Sequence, residues 1–141
     1  MATRQQAAAT DVSSYYWVMR IEGEADSCQP SLAQGDTMLF GDTLSSASGD
    51  TIRVTQFGRV IAGEELLVDD YGNAYGLRGA AQGYAVMFTL AETGDMAQAN
   101  GLGVLVGNQV TGMLTGQLAF DSGRVCELGT TTMFTADLVE R

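Results

Sequence analysis

EELLVDDYGNAYGLRG, residues 64–79, sets four carboxylates and three glycines in sixteen positions. Read as an ion-binding loop, it makes the chain a metal protein or an enzyme. Read as a turn between two strands, it makes the chain a β protein built from hairpins. Spacing decides between them. A helix–loop–helix calcium site needs oxygen ligands at its first, third and fifth positions, glycine at the sixth and glutamate at the twelfth. Counting from Asp69 puts Asn73 fifth but Tyr71 third and Ala74 sixth; counting from Asp70 puts Gly72 third and Ala74 fifth. The turn asks for less. Leu66-Leu67-Val68 is a short apolar strand, and Ala74-Tyr75 resumes the extended pattern. Between them, Asp70-Tyr71-Gly72-Asn73 supplies residues that tolerate positive φ or bond their own backbone. The stretch reads as a hairpin turn, with no metal and no cofactor expected.

Working outward, the same grammar repeats. In SYYWVMRIEGE, Trp17, Met19 and Ile21 alternate with Val18, Arg20 and Glu22, the period of a strand with one buried face. Ile52, Val54 and Gln56 oppose Arg53, Thr55 and Phe57; Gly58 breaks this strand and Arg59-Val60-Ile61 restarts it. MLFGDTL predicts a short strand, with a flexible turn at 45–50, and GYAVMFTLAETGD (83–95) a buried one. Leu118-Ala119-Phe120, Asp121-Ser122-Gly123 and Arg124-Val125-Cys126 read as strand, turn and strand. Phe134, Ala136 and Leu138 share one face of a final strand. Residues 23–37 read as a loop, and MAQANG as one helical turn capped by Asp95. Glycines 101, 103, 107, 112 and 116 match neither a dinucleotide fingerprint nor a phosphate loop, and point to bulges and close backbone approach. The expected fold is all-β, a small sandwich or barrel spanning residues 13–141, with residues 1–12 a mobile arm.

Composition narrows the chemistry. The chain has 141 residues and a net charge of −10, which repels phosphate backbones and anionic membranes, so neither is an expected partner. It contains no histidine, which removes Ser-His and Cys-His catalysis and histidine-ligated zinc. All seven basic residues are arginine, a residue suited to planar contacts at protein interfaces. Cys28 and Cys126 are read as buried thiols, since nothing marks the chain as secreted; a single disulfide is the alternative. MATRQQAAATDVSS lacks an apolar signal region, and the longest apolar run, at 102–107, is too short to span a bilayer. Neighbouring pairs Glu64/Glu65 and Asp69/Asp70 point to opposite faces of a strand, so neither converges on a substrate and no enzymatic activity is expected.

Tyr15, Tyr16 and Trp17 form the one dense aromatic cluster, read either as core or as an interface anchor. With Arg4 of the arm they are the candidate protein-interaction residues. A carbohydrate-binding module would use Trp17, Tyr71, Tyr75 and Tyr84 as a platform. FGRVIAGEELLVDDYGNAYGLRGAAQGYAVMFTLAETGD (57–95) resembles the small β-rich decoration, or cement, proteins of tailed-virus (phage) capsids. The matching residues are Ala62, Gly63, Glu64, Leu66, Asp69, Gly72 and Ala74, then Gly83 with Ala85. The resemblance implies a virion protein that binds the major capsid protein lattice from outside, as a homotrimer, and stabilises the capsid. A tail-tube or baseplate component is the nearest alternative.

Overall fold

The computed structural model describes residues 11–30, 37–46, 49 and 51–140. The expected arm, apart from its last two residues, lies outside them, as do residues 47, 48 and 50 of the expected turn.

Eleven strands follow one another along the chain: β1 (Tyr15–Gln29), β2 (Met38–Ser46), β3 (Ile52–Phe57), β4 (Val60–Gly63), β5 (Leu67–Val68) and β6 (Ala74–Gln82), then β7 (Ala85–Glu92), β8 (Gln98–Val106), β9 (Gln109–Ala119), β10 (Val125–Leu128) and β11 (Met133–Glu140). Every pairing is antiparallel, and the ladder closes on itself. From β9 it runs through β8, β7 and β6 to the broken strand β4/β5, then to the broken strand β2/β3, then to β1. β1 returns to β9 through β11 beside its first half and β10 beside its second. Of the two architectures expected, the barrel is the one formed. Closure removes most of the free edges that an open sheet would expose.

The alternation read from the sequence is the alternation of inside and outside. Trp17, Met19, Ile21, Ile52, Val54, Phe134, Ala136 and Leu138 are all buried. Phe88 and Phe134 meet edge to face inside, with ring centroids 4.8 Å apart. Glycines on the facing strand make room for them: a Cβ on Gly101 would lie 2.4 Å from the Phe88 ring, and one on Gly103 2.7 Å from the Phe134 ring. This is the large-against-small packing that fills a narrow barrel. Tyr75 is also wholly buried, and its hydroxyl accepts from the Ala119 N–H at 2.9 Å and faces the Ala119 carbonyl at 3.3 Å.

Four expectations change. Residues 23–29 are not loop: β1 runs on to Gln29, pairing with β2 on one side and β10 on the other. Their polarity belongs to an outward face, while Ala25 and Cys28 are buried. MAQANG holds no helical turn; Gln98 opens β8, and buried Ala97 and Ala99 keep its inward face. Cys28 and Cys126 are not free thiols: they form a disulfide between β1 and β10, 98 residues apart in sequence. Residue 12 does not belong to an arm. Val12 is fully buried, its N–H donates to the Gln56 Oε1 at 2.9 Å, and its carbonyl accepts from the Trp17 Nε1 at 3.1 Å.

Candidate assembly surface

The acidic stretch that opened the question is a hydrogen-bonded turn. Asp69 is 6% exposed, and its Oδ1 accepts from the backbone N–H groups of Tyr71 (2.9 Å) and Asn73 (2.8 Å). Its Oδ2 accepts from the Asn73 Nδ2 at 3.1 Å, and the Asn73 N–H₂ also reaches the Phe120 carbonyl at 3.2 Å. One carboxylate therefore satisfies the turn's own donors, as short polar side chains do where the chain reverses. Beside it, Asp42 of β2 is 5% exposed and accepts from the Asp70 N–H at 2.8 Å. Burial pushes the Asp42 carboxyl up to about 7; the Asp70 N–H opposes the rise, and the charges of Asp69 and Asp70 add to it. Among the described residues, no group of three or more His, Cys, Asp or Glu side chains is placed to hold a metal ion.

The aromatic cluster divides by parity. Trp17 faces inward with no exposed surface, so it is core and not an interface anchor. Tyr15 packs partly against the core, and Tyr16 lies on the outer face under the Arg53 guanidinium, 5.9 Å from its ring centroid. Arg4 lies outside the described residues. The carbohydrate platform is not assembled either. Trp17 and Tyr75 are buried, while exposed Tyr71 and Tyr84 flank opposite ends of β6.

The surface that stands out is the outer wall formed by β7, β8 and β9. Between Arg78 and Asp121 the chain carries only two charged residues: Glu92, the last residue of β7, on the parity of its buried positions, and Asp95 in the β7–β8 connection. The outward side chains of the three strands are alanine, methionine, threonine, leucine, valine, asparagine and glutamine, without a single charge. Across this wall runs a row set by register: Met87 faces Leu102, Leu102 faces Met113, and Met113 faces Met133 of β11. All four are about half exposed. The row continues the other way through Ala80 of β6 and Val60 of β4 to Phe57 of β3, which is 89% exposed. On the wall itself, Thr89 donates to the Asn100 Oδ1 at 2.8 Å, a neutral bond between neighbouring strands.

Cross-strand neighbours stabilise one another laterally, but that alone does not call for a row of half-exposed methionines on an acidic protein. Depletion of charge combined with Met and aliphatic exposure is what distinguishes the centre of a protein interface from ordinary surface. The charges sit elsewhere. Arg20 pairs with Asp137 at 3.8 Å and Arg53 with Glu64 at 3.8 Å, both exposed pairs worth about 0–1 kcal/mol each. The sequence reading passed over the wall because its members sit on four strands, and only strand register brings them into line. The one signal present along the chain is the charge-poor interval itself. No family model matches the chain, and no curated protein or solved structure was found to match it.

Proposed function

We propose that this chain is a virion structural protein, a capsid decoration protein that binds the outer face of a shell lattice and stabilises it. The observation that carries the reading is the charge-free wall of β7, β8 and β9 on an otherwise acidic barrel. A barrel filled by its own side chains acts through its surface. This one offers a neutral, methionine-rich face of the kind that becomes buried between proteins. The two buried carboxylates, Asp42 and Asp69, are occupied in holding the turn at 69–73, which fits a structural role. The acidic exterior keeps free copies soluble and apart until they dock. Repetition over a lattice then turns many weak contacts into firm attachment. The resemblance over residues 57–95 points the same way. In this reading the partly buried Tyr15 and Tyr16, beside the start of the described chain, supply a second contact to the shell.

The test begins with the genes beside this chain, among which the reading expects a major capsid protein. Shells assembled from it are incubated with the purified protein and sedimented. Saturable co-sedimentation at a fixed ratio to the capsid protein is the expected result. Protein left wholly in the supernatant at micromolar concentrations overturns the reading.

A further inference from the structure

We propose that the free edge of β2 at Leu39 and Gly41 is a docking site for an extended segment of another protein, which joins the barrel as an added antiparallel strand and carries a basic residue followed two positions later by an apolar one. The site lies outside the wall of β7, β8 and β9 and does not depend on what that wall binds.

Register identifies the edge. β2 pairs with β1 from Met38 to Leu44 without a break. The Thr43 N–H donates to the Asp70 Oδ2 at 3.2 Å, so it points away from β1. Alternate residues of a strand present their backbone groups to the same side, so the N–H and C=O of Leu39 and Gly41 point away from β1 as well. β5 covers this edge only at Ser45 and Ser46. Among the described residues nothing pairs with these groups of Leu39 and Gly41, and both residues are exposed. Sheet edges of this kind are ordinarily blunted by charge, proline or a covering element. Here the outward side chains are Leu39, 78% exposed, and Gly41, which has none. An unblunted edge with free donors and acceptors is what strand addition uses.

The surface beside the edge sets the chemistry of the added strand. Glu22, Glu24, Leu39, Gly41, Thr131 and Met133 line an open hollow of about 530 Å³ on the outer face. Across the β1–β2 ladder, Gly41 stands opposite Glu22 and Leu39 opposite Glu24. A Cβ on Gly41 would meet nothing within 4 Å, so a side chain from the added strand passes over it unhindered. The added residue opposite Gly41 starts two strand spacings, about 10 Å, from Glu22, a gap that an arginine or lysine and the glutamate close between them. The Glu22 carboxylate has no cationic partner among the described residues; Arg20, two residues back on β1, pairs with Asp137 at 3.8 Å. The Glu24 carboxylate accepts from the Thr131 hydroxyl at 3.5 Å. The added residue opposite Leu39 instead meets an exposed apolar side chain. In the antiparallel direction, which strand pairs favour, that order reads basic first and apolar two positions later.

The experiment uses the full chain and a fluorescent synthetic heptapeptide of valine and threonine that carries one arginine and, two positions later, one leucine. Fluorescence anisotropy should show saturable binding with a Kd below about 1 mM. A peptide with the arginine and leucine interchanged, and one with glutamate in place of arginine, should each bind at least about threefold more weakly. Glu22→Gln should weaken the arginine peptide about threefold and leave a glutamine-for-arginine peptide unaffected, a coupling that a merely structural role for Glu22 would not produce. Gly41→Pro removes an edge N–H without touching a bond to β1, and should weaken binding at least about tenfold with an unchanged circular-dichroism spectrum. Hydrogen exchange on the unaltered chain guards against a variant that misfolds. The Leu39 and Gly41 amides should exchange fast in the free chain and slow when peptide is added, while the Thr43 amide, already bonded, should not change. Binding that fails to saturate by about 1 mM overturns the inference. So does binding indifferent to Glu22 or Gly41, or protection of the two amides in the free chain, which would mean that a second copy or this chain itself already holds the edge.

Discussion

Asp42 and Asp70 hold each other's backbones: the Asp42 Oδ1 accepts from the Asp70 N–H at 2.8 Å, and the Asp70 Oδ2 accepts from the neighbouring Thr43 N–H at 3.2 Å. This reciprocal pair fastens the turn at 69–73 to β2. It works best while one carboxyl keeps its proton, because Asp69 and Asp70 crowd Asp42 with negative charge. The folded Asp42 carboxyl titrates near 7 against an ordinary value of 3.8. The folded state therefore binds more protons in that window, and this contribution to stability is present below about pH 4 and lost as pH rises through 7. Asp42→Asn keeps an acceptor for the Asp70 N–H and never ionises. Relative to the unaltered chain, the variant should gain stability progressively from pH 5 to pH 8, by about 1 kcal/mol or more at the upper end. Parallel pH profiles for the two chains would contradict the account.

The Cys28–Cys126 disulfide ties β1 to β10 where the chain's ends close the barrel. Crosslinking residues 98 apart restricts the unfolded chain strongly, by up to about 4–5 kcal/mol on the loop-entropy estimate. Reduction, or the pair Cys28→Ala with Cys126→Ala, should lower the melting temperature by about 8 °C or more. Thermal melts with and without reductant measure it, and coincident curves would count against a structural role for the bond.

How much of this was legible beforehand follows from where the information lies. The inward triplets Trp17/Met19/Ile21 and Phe134/Ala136/Leu138 carry period-two contrast between large apolar and polar residues, and both strands were readable from it. So were the turns at 69–73 and 121–123, where Asp and Gly chemistry is local. The second half of β1 was not, because its inward positions are small (Gly23, Ala25) and its outward ones acidic, so the contrast that marks a strand is faint. Ala97 and Ala99 hide the start of β8 in the same way. The cysteine pairing and the methionine row depend on which strand lies beside which. Neither is encoded in any local window of sequence.

Gly101 gives the packing a direct test. A Cβ there would lie 2.4 Å from the Phe88 ring. Gly101→Ala should cost about 1–3 kcal/mol. Adding Phe88→Leu, which withdraws the ring, should return part of that loss. A double variant whose cost is the plain sum of the two single ones would show that the two sites are not in contact.

The turn at 69–73 is held by Asp69 through three hydrogen bonds from Tyr71 and Asn73. Chelation by EDTA should leave the melting temperature unchanged, since the Asp69 oxygens already accept from the turn's own donors. Asp69→Ala should lower stability by about 1–2 kcal/mol by stripping three part-buried donors of their acceptor. A fall in melting temperature with EDTA that calcium reverses would replace the turn account with an ion site.

The central claim, that the chain works by covering and stiffening a shell, is tested most directly by the temperature at which capsid shells open, measured by light scattering with and without the purified protein. The account predicts that saturating protein raises the opening temperature, and that the rise follows occupancy up to one fixed ratio of this chain to capsid protein. An opening temperature unchanged by protein that demonstrably coats the shells would contradict it.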